Sequence, residues 1–383
     1  MDRSFLNWPF FDNSHHELAA KLEDFAAANL ANLSHDDVDQ TTIDLVAKLG
    51  KAGLLDYSAL NPDDATHKLD VRSLCLIRET LARFDGLADF AFAMQGLGTG
   101  AISLFGSEEQ REWLRHTRSG NALSAFALTE PKSGSDVANI EASATATDTG
   151  YILNGEKTWI SNGGIADLYI VFARTGEGPG AKGLSAFLLP AKTVGLEIVE
   201  RLHVMAPHPL AHIRFNNIEL PKSALIGKQG EGFKIAMSVL DIFRSTVGAA
   251  ALGFAKRAMI EALNRSNNRQ LFGAPLSDLQ MVQGHLADMA TDIDTSALLI
   301  YRAAWTKDQG AARISKEASM AKMHATEAAQ RVIDQAVQIH GGDGVRSGQA
   351  VEKLYREIRA LRIYEGASDV QKIVIAKHLL AEI

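Results

Sequence analysis

The sequence predicts a multidomain α+β protein with a helical N-terminal domain, a middle β-barrel or sandwich and a C-terminal four-helix bundle. Three observations predict it. In the first third, apolar residues recur at three- or four-residue spacing. The middle consists of short β-rich runs punctuated by Gly and Pro. The final third returns to long periodic runs dense in alanine. These textures change near residues 120 and 227, giving domains of 1–120, 121–226 and 227–383. The 383-residue length suits two or three domains at roughly 100–200 residues each.

The elements follow in chain order. Over residues 70–84, Val71, Leu74, Ile77, Leu81 and Phe84 line one predicted helical face, and Cys75 on the same helix reads as a small buried hydrophobe. Gly96, Gly98, Gly100 and Gly106 mark backbone that can bend or be approached closely. Ser107 followed by Gln110 reads as a helix start with a capping box. In the middle region, residues 151–153 and 158–160 flank Asn154-Gly155-Glu156-Lys157, a turn signal between strand formers. Further strand runs span 168–172, 184–189, 196–199 and 213–220, with no βαβ alternation. Helices are then expected over 233–264, 278–304, 314–339 and 350–363, with Gly273, Gly310, Gly341 and Gly366 as breakers. Ser368 is placed to cap a last helix over 369–380.

Composition narrows the function classes. The 39 basic and 46 acidic residues give a net charge of −7 and no overall basic field for nucleic acid. A single cysteine permits no internal disulfide, as in a reducing compartment. No apolar run suggests a membrane span, and the chain enters its helical part through Trp8-Pro9-Phe10-Phe11, so a cytoplasmic location is the expectation. The 12 histidines form no HExxH pattern, and CxxC and EF-hand patterns are lacking, so no metal site is expected. His15 and His16 read as solvated. There is no GxSxG elbow and no phosphate-binding Walker loop. Gly341-Gly342-Asp343-Gly344 follows a helix, where a dinucleotide fingerprint must follow a strand.

Three clusters can carry chemistry. Glu365 lies between Tyr364 and Gly366, just past a long helix. A carboxylate desolvated in a cleft there suits general-base work, and a solvated loop glutamate is the other reading. The segment Phe126-Ala127-Leu128-Thr129-Glu130-Pro131, leading to Ser133-Gly134-Ser135-Asp136, offers amides and hydroxyls to a polar or anionic group, or forms an ordinary surface turn. Trp159-Ile160-Ser161-Asn162-Gly163-Gly164 sets an aromatic and a hydroxyl beside glycines, or is a structural Trp before a turn.

Taken together and in order, the motifs resemble the acyl-CoA dehydrogenase family of flavoproteins over essentially the whole chain. They are Leu128-Thr129-Glu130-Pro131 with Gly134-Ser135-Asp136, then residues 154–163, Gly230-Glu231-Gly232-Phe233, residues 269–273, residues 338–344 and Tyr364-Glu365-Gly366. The resemblance implies the same three-domain fold, a homotetramer and bound FAD. It implies an acyl-CoA substrate, oxidised to a trans-2-enoyl-CoA, and an electron-transfer flavoprotein as electron acceptor. It makes Glu365 the base that removes the α-proton, with hydride passing to flavin N5. The Glu365 N–H and a flavin hydroxyl then polarise the thioester carbonyl. Phe126, Leu128, Thr129, Trp159 and Ser161 match flavin-contacting positions, and Ser135 a position contacting FAD or CoA. Arg269, Phe272, Gln338, Gly341 and Gly342 match an FAD site shared between subunits. Asp241 and Arg244 match CoA-contacting positions, and Tyr364 and Gly366 flank the substrate.

This sequence departs from the family pattern at several places. Ala367 replaces the usual threonine, Asp369 brings a negative charge toward the expected FAD, and Lys132-Ser133 replaces a smaller pair, with Lys132 a possible phosphate contact. Some members carry their base on the bundle helix, where Phe243 precedes Arg244 here. The stretch 85–96 lacks the arginine that holds a distal carboxylate in glutaryl-CoA members. Met94, Leu97 and Leu104 suggest an apolar acyl pocket. The rival readings are an oxidase, a desulfinase- or nitroalkane-oxidase-like enzyme on the same fold, or a non-catalytic module.

Overall fold

The computed structural model describes residues 3–381 apart from residues 32 and 65. The helices and strands are α1 (Asn13–Asn29), α2 (Val38–Lys51), α3 (Val71–Phe84), α4 (Gly86–Phe105), α5 (Glu108–Arg118), β1 (Ser124–Ala127), β2 (Ser143–Ala146), β3 (Gly150–Ser161), β4 (Leu168–Arg174), β5 (Leu184–Pro190), β6 (Leu196–Arg201), β7 (Leu210–Pro221), β8 (Leu225–Ile226), α6 (Gly232–Asn268), β9 (Gln270–Leu271), β10 (Ala274–Pro275), α7 (Gln280–Asp308), α8 (Ser315–His340), α9 (Ala350–Leu361) and α10 (Ser368–Leu380). The chain forms two units. One holds Met1–Leu33, Asp70–Asp89 and Arg244–Ile383, the other Ser34–Leu69 and Phe90–Phe243. The helices of the first 120 residues are therefore shared out. α1 and α3 belong with α7 to α10, while α2 and α5 belong with the strands.

In the first unit, α3 is buried on every side from Val71 to Ala82, where periodicity predicted one buried face; Phe84 is only half-buried. Its charged residues tolerate this because each has a partner. Arg72 pairs with Asp308 at 2.8 Å, Arg78 holds both carboxylate oxygens of Asp89 at 2.8 Å, and Glu79 bonds Lys256 and Tyr301. His15, expected to be solvated, is instead fully buried, with Nε2 3.1 Å from Asp70, while His16 is exposed. Cys75 is buried and free, and desolvation pushes its thiol well above its usual range. α6 is long and apolar enough to cross a bilayer by length and composition, but its apolar window is buried inside the protein, as in a core helix.

In the second unit, eight strands form one sheet in the order β6-β7-β3-β2-β4-β5-β8, with β1 alongside β4 in parallel. Its apolar interior includes Leu153, Val171, Phe187, Leu189, Ile213 and Phe215. The Asn154-Gly155 turn signal does not make a hairpin. β3 runs unbroken for 12 residues and pairs with β7, and the register shifts between Leu153 and Gly155. Gly155, at φ +132°, forms a bulge there, since a bulge and a tight turn make the same demand for a residue free of Cβ sterics. α5 begins as expected, with the Ser107–Gln110 capping box formed. The glycines of α4 serve close approach. A Cβ on Gly96 or Gly100 would collide with Phe243 or Val239, and one on Gly98 with Ser124.

Candidate active site

In the β unit, the expected flavin-facing residues are brought together by two strands. Phe126 lies on β1 with its ring 4.8 Å from that of Phe172, and Leu128 and Thr129 follow where β1 ends. The Thr129 carbonyl accepts the Thr158 N–H at 2.9 Å, tying this exit to β3. Trp159 and Ser161 lie on β3 next to that tie. Trp159 stands at φ +59° and remains 57% exposed, and Asn162 follows at φ +60°. An exposed indole on left-handed backbone is not explained by packing, which points to a ligand surface. Ser135 sits in an exposed loop beyond Glu130.

The anchor of this arrangement lies beneath it. Lys157, fully buried, donates from Nζ to the Leu128 carbonyl at 2.9 Å and to Glu130 at 2.8 Å. Desolvation pulls its ammonium down to about 8, against the attraction of Glu130. Glu130 in turn accepts the Ala142 N–H at 2.9 Å and the Glu141 N–H. Lys132, by contrast, is exposed and lies 3.7 Å from Glu141.

In the helical unit, Glu365 occupies the turn between α9 and α10. Its backbone lies at φ +52° and that of Gly366 at +90°. Two successive left-handed residues reverse the chain and leave the Glu365 N–H without an acceptor among the described residues. Its carboxylate Oε2 is likewise buried and accepts no hydrogen bond among them. Desolvation raises the Glu365 pKa. The positive charges of Arg78, Lys322 and Arg244 pull it back, and Asp89 adds to the rise. Tyr364 is pushed well up by burial. Arg244 and Asp241 are both buried on α6, Asp241 in the β unit.

The remaining expected FAD positions gather at one end of the helical unit. β9 and β10 make a hairpin whose two-residue turn is Phe272-Gly273, at φ +54° and +84°. Phe272 is thereby 89% exposed, and Arg269 is exposed with no ion pair among the described residues. Arg269 N–H bonds the carbonyl of Arg265, which reaches the His340 carbonyl at 3.2 Å and Asp343 at 3.0 Å. That link brings the hairpin toward Gln338, exposed near the end of α8, and toward Gly341 and Gly342. A Cβ on either glycine would meet nothing within 4 Å, so the backbone there is open to close approach.

One expectation at the α10 start is corrected, and one conditional one is placed. The helix begins at Ser368, which does not cap it; Ser368 Oγ donates to Glu327 at 2.6 Å. Asp369 points outward, 3.2 Å from Lys372. No group of three or more His, Cys, Asp or Glu suited to a metal occurs among the described residues.

Sequence reasoning missed Lys157's role, and it missed Lys322 and Gln371 altogether. Lys322 Nζ donates to the Gly366 carbonyl at 2.9 Å, and Gln371 Nε2 donates to the same oxygen at 2.8 Å. A signal existed for Lys322: it falls on the buried stripe of Ala318, Ala321, Ala325 and Ala329 along α8.

The class follows from the pattern of the whole chain. The sequence patterns of three domains match in order: the acyl-CoA dehydrogenase N-terminal domain over residues 12–121, the middle domain over 125–218 and the C-terminal domain over 230–380. The chain belongs to the acyl-CoA dehydrogenase family, whose members are FAD-dependent enzymes. It is 38% identical over 375 residues to the human mitochondrial short-chain specific acyl-CoA dehydrogenase, covering 96% of this chain and 90% of that one. It is 36% identical over 365 residues to an acyl-CoA dehydrogenase of Bacillus subtilis, covering 94% and 96%. The fold superposes on butyryl-CoA dehydrogenase of Megasphaera elsdenii with a TM-score of 0.89 at 32% identity, covering 97% and 99%.

The residues present fit FAD. Trp159 offers an aromatic surface, Thr129 and Ser161 offer partly exposed polar groups, and Arg269 offers a free guanidinium for pyrophosphate.

Proposed function

We propose that this acyl-CoA dehydrogenase removes the α-proton of an acyl-CoA thioester with Glu365 and hands its electrons to an electron-transfer flavoprotein. The observation that carries the proposal is the buried, unpartnered Oε2 of Glu365. A carboxylate with one oxygen kept from water and from donors is a stronger base than one fully in solution. The neighbouring cations Arg78, Lys322 and Arg244 offset part of that desolvation. As the α-carbon loses its proton, charge grows on the thioester oxygen, and the unengaged Glu365 N–H is available to receive it. Bound FAD supplies the acceptor for the β-hydrogen, which leaves as hydride to give the trans-2-enoyl thioester.

In the same reading, Phe126, Leu128, Thr129, Trp159 and Ser161 face the flavin, and Arg269, Phe272, Gln338, Gly341 and Gly342 hold the rest of FAD. Asp241, Arg244 and Ser135 contact CoA. The buried Arg78 is already neutralised by Asp89, which disfavours a substrate with a distal carboxylate. A homotetramer is supported by apolar side chains left exposed, among them Phe272, Met281, Ile373 and Leu380.

The test is anaerobic mixing of the FAD-loaded protein with butyryl-CoA, the probe suggested by the short-chain relatives. Bleaching of the flavin is expected, with slow recolouring in air; rapid recolouring would instead mark an oxidase. Glu365→Gln should slow bleaching about a hundred- to ten-thousand-fold. Bleaching at the wild-type rate would refute the base.

A further inference from the structure

We infer that Lys322 and Gln371 are positioning residues for Glu365, clamping the Glu365–Gly366 turn that carries the carboxylate, with Lys322 setting a buried positive charge beside it. The inference rests on Glu365 being the base. It starts from strain: a glutamate at φ +52° sits in the left-handed region that non-glycine residues rarely adopt, so the surroundings must hold it. Helix α8 does so at three points. Glu327 accepts from Arg362 at 3.0 Å on one side of the turn and from Ser368 at 2.6 Å on the other. Lys322 bonds the Gly366 carbonyl between them.

Gln371 completes the clamp from α10. It donates to the Gly366 carbonyl at 2.8 Å and to that of Glu365 at 3.3 Å, and it is the only buried residue among those of α10. A side chain on Gly366 would collide with its amide, so the turn and the clamp fit only together.

The choice of a lysine is the informative part. A neutral donor would satisfy the carbonyl, and burying an ammonium is costly. Lys322 is fully buried and has no ion pair among the described residues. Its charge is instead felt by Glu365. The other groups facing the base are Arg78 from α3, Asp89 from α4 and Arg244 from α6, with Tyr364 on the turn itself. Lys322 alone among them also holds the turn.

The test compares Lys322→Met, Lys322→Arg, Gln371→Leu and Glu365→Gln as FAD-loaded proteins, following flavin bleaching by butyryl-CoA against pH. Lys322→Met should slow bleaching about tenfold or more. It should also move the rising limb, where the base ionises, about one pH unit upward. Lys322→Arg keeps the cation and should leave the limb in place. Gln371→Leu removes a neutral donor and should lower the rate with the limb unmoved. A Lys322→Met protein whose limb does not move would overturn the inference, as would a folded Gln371→Leu protein at the wild-type rate; the second remains decisive if Lys322→Met does not fold. Wild-type bleaching in Glu365→Gln would instead sink the base itself, a result distinct from either of these.

Discussion

The two buried lysines make the same contact in different company. Lys157 in the β unit and Lys322 in the helical unit each donate to a main-chain carbonyl at 2.9 Å, that of Leu128 or that of Gly366. Desolvation lowers each to about 8. Lys157, however, also touches the carboxylate of Glu130 at 2.8 Å, and Glu130 is itself satisfied by two backbone N–H groups. Lys322 has only longer-range attraction from Glu365 and Glu327. A compensated charge acts as a pin and projects little field, whereas an uncompensated one in a low-dielectric site acts on its neighbours. On the proposed function, backbone that faces the flavin needs only the pin, and a base desolvated in its site gains from the field.

The comparison breaks most visibly at Glu130. Glu130→Ala leaves the Lys157 ammonium buried with a single carbonyl partner and strips two N–H groups of their acceptor. The expected loss is about 3–5 kcal/mol in thermal or denaturant unfolding. Lys157→Met leaves Glu130 still hydrogen-bonded and should cost less. Equal losses would mean that the two N–H bonds to Glu130 add nothing beyond the ion pair.

Alkaline titration sharpens the comparison further. A lysine at about 8 when folded and near 10.5 when unfolded binds fewer protons in the folded state between those values. Stability contributed by each site therefore rises as pH rises from about 8 to about 10.5. Buried Cys75, Tyr301 and Tyr364, all raised, act oppositely as their unfolded forms ionise, so the lysine effect must be read as a difference. The stability gap between wild type and Lys322→Met should shift in favour of wild type across that window. Lys157→Met should show the same sign, and a flat difference at either site would deny that burial lowers its lysine at all.

Much of this was legible in the sequence, for identifiable reasons. Long helices such as α8 show because one stripe stays apolar for seven turns, and strands such as β4 show as unbroken apolar runs. The Asn154-Gly155 signal located a positive-φ glycine correctly but could not separate a hairpin from a bulge, since pairing of β3 with β7 decides that. The burial of α3 on all sides, and of His15 with it, depends on partners such as Asp308 and Asp70 that local periodicity does not contain. Glu365 stood out only through its motif. Its left-handed backbone and its clamp come from α8 and α10, 43 and 6 residues away in Lys322 and Gln371.

The smallest expected effect concerns Asp369, whose charge raised a conflict with FAD phosphate. The structure places it second in α10, with its side chain 89% exposed and 3.2 Å from Lys372. A carboxylate in a first helical turn is favoured by the backbone dipole, and an exposed i,i+3 ion pair adds little. Asp369→Asn should therefore cost no more than about 0.5 kcal/mol and leave FAD affinity within about twofold. Flavin titration of the stripped protein checks this. Tenfold tighter binding in Asp369→Asn would mean that the side chain does turn toward the pyrophosphate, and that the start of α10 carries an electrostatic cost which the Lys322 clamp must withstand.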